Sequence, residues 1–169
     1  YYRMPLKEQL LFQKLEAETD ETGRDNLISQ IHALRGIYRN EEGGLSVSDI
    51  SFVSYLLEAF SMLSIKGNIA FYNYTYHKYQ YIDEPDFLTF FKNLLDEVDR
   101  RLWNAKLEGR YKSRFKRELY PRLREWSTPR WVVFDNGCFN IAEGMFYSGD
   151  YPGIHNFNNT GYSYDESAE

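Results

Sequence analysis

Arg110, Arg114, Arg117 and Arg124 recur at spacings of four, three and seven residues. If this stretch is helical, at 100° per residue, the four lie within about 80° of arc. A guanidinium is a planar fork that meets a phosphate or carboxylate through two parallel hydrogen bonds, whereas an ammonium is a point charge. The chemistry expected of such a face is therefore capture of an anionic group. Lys112 and Lys116 flank the apolar edge and can reach outward along their stems. Trp103, Tyr120 and Trp131 stand near the basic stretch as aromatic surfaces on which nucleic-acid bases could stack. With the four arginines they make the candidate partner- or polyanion-binding set.

Charge along the chain supports that focus. Eleven of the twenty Lys and Arg fall between Arg100 and Arg130, against three acids there, Glu108, Glu118 and Glu125, in a chain of net charge −5. Residues 1 to 99 hold nine basic and sixteen acidic side chains, and six acids with no Lys or Arg follow Arg130. Asymmetry of this kind points to an anionic partner. Three readings compete: a solvated or internally paired face, with Glu41, Glu42, Asp83, Glu84 and Asp86 as available acids; an acidic protein partner; or RNA or DNA. The acidic remainder repels a polyanion and lowers the last.

Catalytic and metal signals are weak by comparison. His32, His77 and His155 have no ligand spacing, so neither a metal site nor any cofactor is expected. Cys138 with His155 would form a thiolate pair only if the end of the chain folded back on the segment around Cys138. Asp83, Glu84 and Asp86 read as the acidic first turn of a helix, favoured by its dipole. None of the glycine-rich phosphate loops or nucleophile elbows occurs. An enzyme or small-ligand site would need a pocket lined by the tyrosines between Tyr72 and Tyr81.

The elements that must position these residues follow from periodicity. Lys7 to Glu18 puts Leu10, Leu11 and Leu15 on one helical face. Leu27, Ile28, Ile31, Leu34 and Tyr38 mark a second helix, stopped by Asn40-Glu41-Glu42-Gly43-Gly44. Ser48 caps a third that carries Ile50, Val53, Leu56, Leu57, Phe60 and Leu63 inward to Lys66-Gly67-Asn68. Ile69 to Ile82 fits both periods and is assigned helix, because helices flank it. Pro85 opens a helix with an apolar stripe from Phe87 through Leu102. Gly109 marks a break before a helix through Tyr120, with Tyr111, Phe115, Leu119, Leu123 and Trp126 packing inward, and Pro121 kinks or ends it. Pairing Ser48 with Ile69 and Pro85 with Arg110 suggests two degenerate helical hairpins.

From Trp131 the pattern becomes β: Trp131-Val132-Val133-Phe134, Asp135-Asn136-Gly137, then Cys138-Phe139-Asn140-Ile141 read as a hairpin. The following Asn140-Ile141-Ala142-Glu143-Gly144 is similar to a motif of the four-helix-bundle proteins encoded in ribosomal-RNA intervening sequences. The match covers five residues and leaves too little chain for that bundle, so the family is not assigned.

The expectation is a mainly α protein: a compact bundle of about six helices, spanning 1–154 as one domain with the hairpin at 131–141, and an extended aromatic tail over 155–169. Aromatic residues make up 18% of the chain, and tyrosine suits wet interfaces. The expected role is a non-catalytic subunit or adaptor that docks through the arginine face and the tail. Nucleic-acid binding is the alternative, and a tyrosine-lined ligand or enzyme site the third. A single cysteine and no run of 18 apolar residues suggest an intracellular, reducing compartment without membrane insertion. A start at Tyr1 fits a removed leader, so an organellar matrix is one such place.

Overall fold

The computed structural model describes residues 1–65, 68–119, 131–149, 160–165 and 167. Among them are five α-helices, one 3₁₀ turn and eight strands in three small antiparallel sheets. This mixed architecture replaces the six-helix bundle expected from the sequence. The chain divides into two compact units, one of Tyr2–Ala59 with Glu84–Arg122, the other of Tyr1, Phe60–Asp83 and Leu123–Glu169.

The first unit is the helical one. Helices α1 (Leu6–Ala17) and α2 (Glu21–Leu34) form a hairpin, and Asp20 caps α2 by accepting from the Gly23 amide at 2.9 Å. On α1 the expected inward face is only partly correct: Leu10 is exposed, whereas Glu8 is fully buried. Helix α2 stops sooner than its apolar spacing suggested. Gly36 adopts φ +78°, and a Cβ there would lie 2.7 Å from Phe52 N and 2.8 Å from Ser48 O, so the close approach requires glycine.

Beyond Gly36 the chain turns into β1 (Ile37–Arg39), which pairs with β2 (Leu45–Val47). The loop between them is ordered by Asn40, whose Oδ1 accepts from the amides of Glu42 and Gly44.

Helix α3 (Asp49–Ala59) begins where Ser48 Oγ accepts from the Ser51 amide. Helix α4 (Glu84–Asp96) is followed by a 3₁₀ turn, Arg100–Leu102, capped by Asp99. Helix α5 (Ala105–Leu119) runs unbroken through Gly109, contrary to the expected break. Its real start is Asn104, whose Oδ1 accepts from the amides of Lys106 and Leu107 at 3.1 Å.

Tyr111, Phe115 and Leu119 are buried along one side of α5. Tyr111 meets Phe52 of α3 edge-on at 5.2 Å, and Phe115 meets Phe87 and Phe91 of α4 at 5.7 and 4.9 Å. Each buried ring contributes roughly 2 to 3 kcal/mol through surface removed from water, so α5 is held firmly by the side opposite its arginines. Leu123 and Trp126, expected on the same stripe, lie outside the described residues.

The second unit is β-rich. Strands β3 (Met62–Ile65), β4 (Asn68–Asn73) and β5 (Lys78–Tyr81) form a meander in the register Leu63↔Ala70 and Tyr72↔Tyr79. This overturns three expectations: α3 ends at Ala59 instead of running to Leu63, Ile69 to Ile82 is a hairpin, and the helical repeat pair disappears. The reversal is made by Asn73, whose Oδ1 accepts from the Thr75 and Tyr76 amides, and by His77 at φ +49°.

The third sheet orders β6 (Trp131–Phe134), β7 (Gly137–Asn140) and β8 (Met145–Ser148). Its first turn is Asp135-Asn136, and Phe134 pairs with Gly137. The pentapeptide at 140–144 is turn chemistry. Asn140 Oδ1 accepts from the amides of Ala142 and Glu143, and Gly144 is left-handed at φ +67°. A helical-bundle motif has no place there.

Candidate anion-binding face

On the solvent side of α5, Lys106, Gly109, Arg110, Ser113, Arg114 and Arg117 line a shallow depression of about 350 Å³, with Asp49 of α3 beside them. From Lys106 the positions fall at i+3, i+4, i+7, i+8 and i+11, as one helix face requires. Gly109 leaves the middle open, since nothing lies within 4 Å of where its Cβ would be.

The arginines are not equivalent. Arg114 donates from Nε to Asp49 Oδ2 at 3.1 Å and lies 3.5 Å from Glu118 Oε1. Arg110, more exposed, donates to Asp49 Oδ1 at 3.4 Å. Arg117 and Lys106 are exposed and have no acid partner among the described residues. One carboxylate thus engages two forks, and the two outer cations have no acid partner among the described residues.

The lysines on the other flank are occupied. Lys112 and Lys116 both pair with Glu84 at the first turn of α4, Lys116 Nζ at 2.5 Å. Hydrogen bonds from Lys112 first and Lys116 second hold the Glu84 carboxyl below the usual glutamate range. Of the acids expected to neutralise the basic segment, Glu84 does so for the lysines, while the arginines are served by Asp49, which sequence spacing could not single out.

The aromatic members of the candidate set are placed differently. Trp103 is buried: its indole N–H donates to Glu108 Oε2 at 2.8 Å and its ring lies 5.3 Å from Tyr111. Trp131 belongs to the β-rich unit, half-buried and edge-on to Tyr147 at 5.6 Å. Tyr120 and Arg124 lie outside the described residues. Lys106 was missed because reading Gly109 as a break started the helix after it, and extending the same helical register back by one turn reaches Lys106; Ser113 lay within the expected helix but carries no charge to mark it.

A second polar cluster also escaped the sequence. Glu8, 0% exposed, accepts from Arg35 Nε at 2.8 Å through Oε1 and from the Tyr55 hydroxyl at 2.5 Å through Oε2. Tyr2 and Tyr55 share a hydroxyl hydrogen bond at 2.6 Å. Arg35 also donates to Leu94 O and Glu97 Oε2, at 2.9 and 2.7 Å. Burial, then the hydrogen bond to Glu8, pushes the Tyr55 phenol far up. For Arg35 burial acts downward, but the bond to Glu97 and the charges of Tyr55 and Glu8 outweigh it, so the guanidinium stays charged. Every group points at another, which suits a structural pin tying α1, α2, α3 and α4.

Of the other chemical candidates, Cys138, Tyr72 and Tyr79 are buried, whereas Tyr76 and Tyr81 are exposed. Burial pushes the Cys138 thiol up to about 11, which keeps it protonated near neutrality; His155 lies outside the described residues. Tyr72 and Tyr79 are buried with Leu63 and Ala70, and burial raises the Tyr79 phenol. No group of three or more His, Cys, Asp or Glu among the described residues could hold a metal ion. No helix among them is long and apolar enough to cross a membrane. No protein-family model and no curated protein matches the chain.

Proposed function

We propose that the chain is a non-catalytic docking subunit or adaptor, and that the Lys106 to Arg117 face of α5 receives an acidic segment of a partner protein. The observation that carries this reading is the arrangement around Asp49. It engages Arg110 and Arg114, while Lys106 and Arg117, at the two ends, have no acid partner among the described residues and are open to one from a partner.

A central carboxylate between cations favours a protein surface, whose own acids can be spaced to avoid it. A nucleic-acid backbone presents closely spaced negative charge and meets Asp49 as a repulsion. Trp103, already committed to Glu108 and Tyr111, adds no open stacking surface. The tail, expected as a second docking element, contributes less to this reading, because Tyr164 already stacks on Phe146 of its own unit at 4.5 Å.

The test compares two fluorescent probes, an oligoglutamate peptide and a single-stranded oligonucleotide, across a salt series. The expected result is saturable binding of the peptide, with the oligonucleotide much weaker at every salt concentration. Tighter oligonucleotide binding, with a log–log salt slope of about −0.7 for each of several phosphates, would move the function to nucleic acid.

A further inference from the structure

The third sheet is completed by the chain's own distal segment. Thr160 N–H donates to Val133 O and Asp135 N–H to Tyr162 O, both at 2.9 Å. One step further, Asn136 grips the main chain of Tyr164 at two points: Nδ2 donates to its carbonyl at 3.0 Å, and Oδ1 accepts from its amide at 2.8 Å. The contacts advance together along both segments, so the distal segment runs beside β6 in the same direction without forming a regular strand. Gly161, at φ +74°, makes the bend that this path needs.

Side-chain recognition accompanies the main-chain grip. Phe134, Phe139 and Phe146 share one face of the sheet by register, because Val132 pairs with Phe139 and Phe139 with Phe146. The Tyr164 ring lies on all three, stacked on Phe146 at 4.5 Å and 15°, and 5.3 and 5.6 Å from Phe134 and Phe139. Gly137 keeps this floor open: a Cβ there would lie 2.1 Å from Tyr147 O and 2.7 Å from the end of the Phe146 ring.

We propose that the β6 edge, Asn136 and the three phenylalanines form a receptor for an extended Gly-x-x-Tyr peptide, with residues 160–165 as the resident ligand and a peptide of the same chemistry as its exchangeable occupant. Edge hydrogen bonds supply affinity without regard to sequence, and the ring pocket supplies selectivity, the division of labour found in strand-addition sites. The left-handed bend selects glycine and the phenylalanine floor selects an aromatic ring three residues later. A tethered ligand competes at an effective concentration on the millimolar scale, so the free peptide binds the intact chain weakly.

The experiment uses the full chain and a labelled synthetic peptide with the sequence of residues 160–165. Thr160→Pro removes one edge bond and Tyr164→Ala the ring, each loosening the resident segment while leaving the receptor residues intact. Either variant is expected to bind the peptide about tenfold or more tightly than the unaltered chain, and adding Asn136→Ala should abolish the gain. A peptide with alanine in place of its Tyr164 should not bind. Equal affinity for both peptides, or no gain in either natively folded variant, would overturn the proposal. In the unaltered chain, saturating peptide should accelerate amide exchange at Thr160 while Asp135 stays protected. If neither variant folds, an unchanged Thr160 rate overturns the proposal by itself.

Discussion

Arg114 Nε lies 3.1 Å from Asp49 Oδ2, joining residues 65 positions apart in the chain. The same carboxylate takes Arg110 through its other oxygen, so one acid from α3 engages two arginines on α5. Asp49→Asn should leave the fold in place, because Asn keeps the shape of the side chain and partly exposed pairs of this kind contribute about 1 kcal/mol or less. It should also tighten oligoglutamate binding about threefold, the effect of removing one unit charge roughly 6 Å away in water. Paired urea unfolding and binding isotherms check both halves; weaker binding would mean that Asp49 acts chiefly by orienting the arginines.

Gly36→Ala tests the turn out of α2. A left-handed residue with a Cβ costs about 1 to 2 kcal/mol before any clash, and here the clash is with backbone atoms of Phe52 and Ser48. The urea midpoint of this variant should fall by an amount equivalent to about 2 kcal/mol or more. An unchanged midpoint would show that the start of α3 can move aside.

Glu8→Gln takes the buried carboxylate away from Arg35 and leaves Glu97, which is largely exposed, as its acid partner. Breaking a buried ion pair from one side costs about 3 to 5 kcal/mol, so this variant should unfold at much lower urea. Tyr55→Phe removes only the hydroxyl that donates to Glu8, and the loss of a hydrogen bond to a charged group should cost about 1.5 to 3 kcal/mol. Equal losses from both variants would place the importance of the cluster in the tyrosine.

Glu84 predicts a particular pH dependence. Its carboxyl is held below the usual range by Lys112 and Lys116, so the folded state binds its proton less readily than the unfolded chain does. Its stabilisation is therefore fully present above the ordinary glutamate value of about 4.3 and fades as pH falls through the lower folded value. Wild type and Glu84→Gln should differ in urea midpoint near neutrality and converge toward pH 3. Parallel curves would rule out this linkage.

Local period was readable where one face packs and the other meets water. Tyr111, Phe115 and Leu119 announced α5, and Phe87, Phe91, Leu94 and Leu95 announced α4. Tyr72, Tyr74 and Tyr76 keep a strand period while Ile69, Tyr72, Tyr76 and Tyr79 keep a helical one, and what decides between them is the turn that Asn73 and His77 build, together with the pairing of Ala70 to Leu63. Cross-strand pairing leaves no trace in the spacing along one segment. Glu8 was invisible for a related reason: its burial depends on Arg35 and Tyr55, residues 27 and 47 positions away. Of the candidate site, the forks on α5 were legible and the acid beneath them was not, since Asp49 gains meaning only once α3 lies beside α5.

The most direct test of the docking face reverses the two cations that Asp49 does not engage. Lys106→Glu with Arg117→Glu keeps the Asp49 pairs and the Tyr111, Phe115 and Leu119 stripe, so circular dichroism and the urea midpoint should change little. Oligoglutamate affinity should fall about tenfold or more, the effect of a swing of four unit charges partly screened by salt. Unchanged affinity in a natively folded variant would contradict the assignment of this face.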